Sequence, residues 1–515
     1  MKETYKRGKI GKRYISRQAE REVTQVKLSK LLENVEYSLV QGNLELEITD
    51  IKYNSKEVQT GDLFVAIKGA VVDSHKFIPD AIERGAAAII IENDVSVQEG
   101  IVAIRVSSSR EALAYLSATY WGNPAKRLTT IGITGTCGKT STAYMMKAML
   151  EKAGKKVGLI GSIEAVIDGE VFSVKNTTPE SYEIHKFFNQ MVEKNCDVAI
   201  MEVSSQGLKL DRVAGIKYDY GIFTNLSRDH IGDREHKDFE EYMQCKAKLF
   251  SQCKVGIVNA DDPYYKEITK EAKCELIKFG MGAGALDVKI SNVQNISEGN
   301  FLGTEFDVSG KIEARFRISI PGTFSIFNAL CAVVVCNELG IDIESMKKAL
   351  AKVQVKGRMQ VVSANEKYKL IIDFAHNERE CDSLKETIRS YNPKRVVCVI
   401  GSGGERSRDR RYASGKMASE LAGLTIFTAD NPRFEDIDNI MKDLVEGLNQ
   451  AGGGEYVVIN DREEAIRYAI ENAQQGDYIL LIGKGHETYQ EIRGVKHPFD
   501  ESEIVVKVEQ EKGIR

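Results

Sequence analysis

No surplus of one charge marks this 515-residue chain: 71 Lys and Arg stand against 75 Asp and Glu, a formal net charge of -4. No overall field draws such a molecule to nucleic acid or to an anionic membrane, so an acidic or nucleotide partner has to be met by local groups. The nine cysteines contain no C-x-x-C pair, and reduced thiols in the cytoplasm are expected. No apolar run near the N-terminus is long enough for a signal peptide or a membrane span. Solenoid repeats and low-complexity segments are missing as well. What is present is the composition of an ordinary globular protein, too long for one hydrophobic core, so about three domains are expected.

Residues 1–25, opening with "MKETYKRGKIGKRYISRQAER", are rich in Lys and Arg and read as a basic, mobile tail. Residues 26–123 hold "GDLFVAIKG" and "AAAIIIEND", buried-strand runs of a mixed α/β domain. "WGNPAKRL" reads as a linker. From 124 to 355, "KVGLIGS", "CDVAIMEVSS", "DYGIFTN" and "KVGIVNADD" alternate with helical stretches, the pattern of a P-loop ATPase-like parallel sheet with helices on both faces. Residues 356–515 repeat the alternation in a Rossmann-like α/β domain. Ligands of such sheets sit beyond the carboxyl ends of the strands, so the polar residues ending each run are the ones to follow.

"IGITGTCGKTST", Ile131 to Thr142, carries the parts of a phosphate loop: glycines that turn N–H groups toward an anion, the charge of Lys139, and Thr140 to face magnesium. The usual spacing places glycine at 133, where this chain has Ile133. Other strand ends supply Glu202, Asn225, Asp229, His230, Asn259 and Asp261. Each alone could be a helix cap; together with a lysine-bearing glycine loop on one sheet edge they point to a metal–triphosphate site.

"ITGTCGKT", "NTTPES", "MEVSS", "TNLSRDH", "PGTFSIFNALCA", "GRMQVV", "DFAHN", "DNPR" and "GKGHE" occur in the order found in the Mur ligases. The chain after its basic tail resembles that family, most closely the branch that extends UDP-N-acetylmuramoyl-L-alanyl-D-glutamate. The resemblance implies an ATP-dependent ligase that activates a carboxylate as an acyl phosphate for attack by an amine. Gly135, Thr136, Cys137, Gly138, Lys139, Thr140 and Ser141 would hold ATP, with Asn259, Asn328 and Arg358. Thr140, Glu202 and His230 would hold Mg2+, and Lys246 would join them as a carbamate, since an ammonium cannot coordinate a cation. Asp373 and His376 would complete the catalytic set. Ser55, Asn176, Thr177, Thr178, Ser204 and Arg212 would bind the UDP-linked acceptor. Arg411, Asp430, Asn431, Pro432, Arg433, Gly483 and Glu487 would bind meso-2,6-diaminopimelate, whose distal carboxylate calls for guanidinium. No nucleic acid, no membrane and a monomer are expected.

Departures from the family pattern bear on the acceptor: Cys137 for asparagine, Gln206 for histidine, Leu210 for glutamine, a lengthened "DHIGDREH", and "DFAHNERE" without Thr-Pro. Three alternatives stay open: the same ligation with L-lysine, a folylpolyglutamate-synthase-like ligase, or a nucleotide-binding regulator without catalysis.

Overall fold

The computed structural model describes residues 25–69, 72–232, 235–376 and 378–514. The expected basic tail lies almost wholly outside them.

Three main sheets follow one another along the chain. The first has five strands, and its "AIII" run, Ala88–Ile91, is buried on both faces. It is parallel except for the edge strand Ser38–Gln41, as near-continuous apolar runs imply. Helix Ser109–Tyr120, capped by the Ser108 side chain, ends this unit.

The second sheet has 11 strands. At its centre strand β1 (Thr129–Thr134) leads into helix α1 (Lys139–Lys152) and lies between β2 (Val198–Glu202) and β3 (Tyr218–Phe223), both parallel to it. Glu202 pairs with Ile133, and Phe223 with Thr134, so the three strands end level on one edge. Helix α2 (Phe239–Ala247) follows β3. Helix Thr323–Glu338 is apolar on nearly all sides, and it is buried in the core beside α1 rather than in a membrane. Among the described residues no helix is long and apolar enough to cross a bilayer. The alternation of the sequence leaves one part unseen: strands Val288–Glu298, Phe301–Gly310 and Ala314–Ile318 are antiparallel to one another and extend the sheet, the first of them joining it in parallel beside Glu275–Gly280.

The third sheet has six strands; Asp373 pairs with Ile482, as Ile400 does from the other side, so the segments after them emerge together. Helices α3 (Arg408–Leu421) and α4 (Ile437–Gln450) pack side by side over it. One hydrophobic cluster runs from Ile131 and Ile133 through the helix Thr323–Glu338 to Ile400 and Ile482. The second and third units are thereby joined through apolar contact.

Candidate active site

The loop between β1 and α1 lines a cavity together with Glu202, Asn225, Asn328, Arg358 and Asp373. Gly138 caps α1 in the left-handed region at φ 86°, and a Cβ there would run into Asn328 Oδ1, so only glycine fits. Cys137 fills the asparagine position without losing the loop's anchorage: its N–H donates to Asn225 Oδ1 at 3.0 Å, and its carbonyl accepts from Thr224 Oγ1 at 2.7 Å. Thr136, Ser141 and Asn328 line the cavity. Asn259 does not: its amide donates to the Thr224 carbonyl and accepts from Asp261 N–H, tying strand ends together.

Lys139 donates to the carbonyls of Gly135 and Thr136, at 2.8 and 3.0 Å. Burial holds its pKa below the ordinary lysine value, against the pull of the Glu202 charge. Lys246, 1% exposed on α2, donates to the same Gly135 carbonyl at 2.8 Å and lies 4.5 Å from the Tyr242 ring centroid. Burial, and then the Lys139 charge, push it well below the lysine range. A surface lysine would be charged; this one is held toward the neutral amine, the form that can add carbon dioxide.

Thr140 Oγ1 and Glu202 Oε2 stand 3.1 Å apart and are buried, a pair of hard oxygen donors suited to magnesium. His230 is not brought to them. Its backbone takes φ 55°, and its Nδ1 lies 2.9 Å from Glu235 Oε1 with the side chain about half exposed. The lengthened loop supplies that competing carboxylate. Among the described residues no group of three or more His, Cys, Asp or Glu side chains is placed so that it could hold a metal ion.

From the third unit, Arg358 enters the cavity with its guanidinium carbon 4.9 Å from the Phe374 centroid. Asp373 accepts from Met359 and Ala375 N–H groups; burial raises its pKa while those bonds oppose it. His376 is absent from this cavity. It borders a neighbouring one and pairs with Glu380, Nδ1 to Oε2 at 3.0 Å.

Of the acceptor residues, Thr178 is buried, donating to the Glu202 carbonyl and accepting from Ser204 N–H. Ser204 also caps a short helix through Gly207 N–H. Arg212 donates to the Thr178 carbonyl and pairs with Glu180 at 2.8 Å. Asn176 is exposed, and Thr177 meets Ser162 at 3.0 Å. Ser55 is buried, and its hydroxyl bonds Asp80, lowering that carboxyl's pKa.

The neighbouring cavity of the third unit is lined by His376, Asp430, Asn431, Arg433, Gly483 and Glu487. Arg433 donates to the Gly404 carbonyl and stands 3.4 Å from Glu491; Asn431 donates to Glu487 at 2.7 Å. Pro432 does not line it, its carbonyl accepting from Glu435 N–H. Arg411 points away: it is buried between Glu435 and Asp443. Arg410 and Arg406 face the cavity instead, and burial with the Arg406 charge lowers the Arg410 pKa. Sequence reading also passes over Ser162, Glu380 and the wholly buried Lys484, which holds Asp430, Asn431 and Glu487 together. Lys484 stands in "GKGHE", beside residues already singled out; Ser162 closes the run "KVGLIGS", and its polar strand end is the available signal.

Three α/β units, with a phosphate loop at the strand ends of the second and an arginine of the third reaching into it, define an enzyme that works on a nucleoside triphosphate. Models of the Mur ligase family catalytic domain, the Mur ligase middle domain and the Mur ligase glutamate ligase domain match residues 47–121, 133–336 and 357–485. The chain is 40% identical over 484 residues to a protein of Clostridium perfringens (strain 13 / Type A) named UDP-N-acetylmuramoyl-L-alanyl-D-glutamate--2,6-diaminopimelate ligase, covering 93% of this chain and 98% of that one. A Bacillus licheniformis protein of the same name is 39% identical over 491 residues, with the same coverage. A solved structure of a ligase so named superposes with TM-score 0.70 at 24% identity, covering 95% of this chain and all of that one. The Thermotoga maritima MurF ligase in complex with ADP gives 0.57 at 19%, covering 90% and 97%. This chain belongs to the Mur ligase family.

Proposed function

We propose that this chain is the ATP-dependent ligase that joins meso-2,6-diaminopimelate to the D-glutamate of UDP-N-acetylmuramoyl-L-alanyl-D-glutamate, a step of peptidoglycan precursor synthesis. The acceptor carboxylate attacks the γ-phosphorus of ATP and ADP leaves. The amine then attacks the acyl carbon, inorganic phosphate leaves, and the amine loses a proton. Lys139 and Arg358 face the transferring phosphoryl group from two domains, positioned to stabilise charge that moves between oxygens. Magnesium supplies further neutralisation when bound. Thr140 and Glu202 fit it, and Lys246 as a carbamate would add two anionic oxygens. Thr178 bonds the Glu202 carbonyl, Ser204 and Arg212 bond Thr178, and together with Thr177 these residues would receive the acceptor. We place the reaction in the cytoplasm and infer that the chain acts as a monomer.

The observation that carries the choice of amino acid is the third-unit cavity, where Arg433, Arg406 and Arg410 stand with Asn431 and Glu487. A substrate with a carboxylate beside its distal amine satisfies that mixture, whereas lysine brings only an ammonium. Phosphate release measured with ATP, the UDP-dipeptide and a varied amino acid tests the proposal. Turnover with meso-diaminopimelate and little with L-lysine is expected; turnover with neither removes the substrate assignment.

A further inference from the structure

The segment after strand Val157–Ile160 brings a serine into the cavity that the phosphate loop does not supply. Ser162 donates its N–H to Glu202 Oε1 at 3.1 Å, and its hydroxyl lies 2.9 Å from Glu202 Oε2. The same hydroxyl lies 3.0 Å from Thr177 Oγ1, in the "NTT" segment. Preceding it, Gly161 leaves the room in which the Glu202 carboxylate sits, because a Cβ there would run into Oε1. Three donors meet this carboxylate: Thr140 Oγ1, Ser162 Oγ and Ser162 N–H.

A carboxylate only accepts, and a serine hydroxyl has one hydrogen. The Ser162 hydrogen is therefore committed to Glu202, and Thr177 must donate to Ser162. The chain then has one direction, Thr177 to Ser162 to Glu202, with Thr140 donating to the same carboxylate oxygen, Oε2. Thr177 is left with lone pairs, not a hydrogen, for a ligand, so it selects an N–H or O–H of that ligand. Hydrogen bonds in such a chain polarise one another, so a donor arriving at Thr177 strengthens the bond on Glu202.

We propose that Ser162 is a positioning residue that couples occupancy of the acceptor site at Thr177 to the metal–nucleotide site at Glu202 and Thr140. This rests on the functional reading above, in which Glu202 faces magnesium and Thr177 faces the UDP-linked acceptor. Coupling of this kind is reciprocal: the acceptor tightens Mg2+–nucleotide, and Mg2+–nucleotide tightens the acceptor by the same factor.

Calorimetric binding of a nonhydrolysable ATP analogue with Mg2+, with and without UDP-N-acetylmuramoyl-L-alanyl-D-glutamate, reads the coupling without turnover. In the wild type the acceptor is expected to tighten the nucleotide about fivefold or more. Ser162→Ala is expected to lose that gain while still binding each ligand, and Ser162→Thr, which keeps the hydroxyl, to retain it. Thr177→Val breaks the chain without touching Glu202 and guards against a Ser162→Thr variant that is simply overpacked. It is expected to lose the same coupling, and adding Ser162→Ala to it should change little more. Equal coupling in the wild type and Ser162→Ala, no coupling in the wild type, or additive losses in the double variant would overturn the proposal. A wild type that fails to bind the acceptor at all would instead overturn the functional reading on which it rests.

Discussion

Two amines, Lys139 and Lys246, share one carbonyl, that of Gly135. Two ammonium groups so placed, one half-buried and one buried, repel each other, and the cheaper state leaves one neutral. Lys246, whose pKa is lowered further by the neighbouring Lys139, is the one to give up its charge. Its conversion to a carbamate would replace repulsion by attraction. Lys246→Ala is expected to lower turnover at least a hundredfold and to regain part of it when a small carboxylic acid is added to the buffer; an unmodified Lys246 amine in the electron density of the active wild-type enzyme would refute the carbamate. A second residue has a consequence for stability. His185 is 2% exposed, neither ring nitrogen has a hydrogen-bond partner among the described residues, and burial alone lowers its pKa from 6.5 to about 4. The unfolded chain takes up its proton near 6.5 and the folded chain only near 4, so the contribution is whole above 6.5 and is lost as pH falls through that window. From about pH 7 to about pH 5 the loss is roughly 2 kcal/mol, and His185→Leu should flatten the pH dependence of unfolding by about that amount.

Helices α3 and α4 meet backbone to backbone. A Cβ on Gly447 would stand 2.6 Å from Tyr412 Cα, and one on Gly415 would stand 2.7 Å from Leu448 N. The two helices are also bridged by Arg411 and Asp443 at 2.9 Å. Gly447→Ala should therefore force them apart and cost about 1–3 kcal/mol, seen as an earlier denaturation midpoint with the nucleotide site intact. This helix pair marks where the sequence can and cannot be read. Apolar runs ending in polar clusters identify the parallel strands and their ends, because burial on both faces makes the run and ligand chemistry makes its end; Lys139, Thr140 and Glu202 are legible in this way. Neighbouring residues on a helix point about 100° apart, and "RDRR" does not say which arginine faces the cavity. The family pattern favours Arg411, yet Arg410 lines the cavity. Strand Val288–Glu298, "VKISNVQNISE", is largely exposed and polar, so it reads as loop; its pairing with Phe301–Gly310, a long-range fact, makes it a strand. His230 departs from its expected place because its competitor, Glu235, belongs to the very insertion that departs from the family pattern.

At the scale of the whole molecule, the antiparallel extension gives the central unit a platform for the third. Tyr391 donates to the Gly303 carbonyl at 2.7 Å, and Ser297 meets Tyr478 at 3.1 Å. With the shared apolar cluster, these contacts hold Arg358 over the phosphate loop and set the arginine-lined cavity beside His376, next to the nucleotide cleft. On the proposed reaction, choice of amino acid would be a property of the assembled domains: the amine would have to reach the activated carboxylate while its far end is held at Arg433. Arg433 is partly exposed and already bonded to Gly404 and Glu491, so its worth to a substrate carboxylate lies at the low end for a charged contact. About 2 kcal/mol, roughly thirtyfold in affinity, is a fair magnitude. Arg433→Ala is expected to raise the KM for meso-diaminopimelate by about that factor, to leave the KM for ATP near its wild-type value, and to narrow the preference over L-lysine. Steady-state phosphate release with each amino acid measures all three. A variant that handles meso-diaminopimelate as the wild type does would show that the distal carboxylate is held elsewhere, and Arg410→Ala would then be the variant to show the loss.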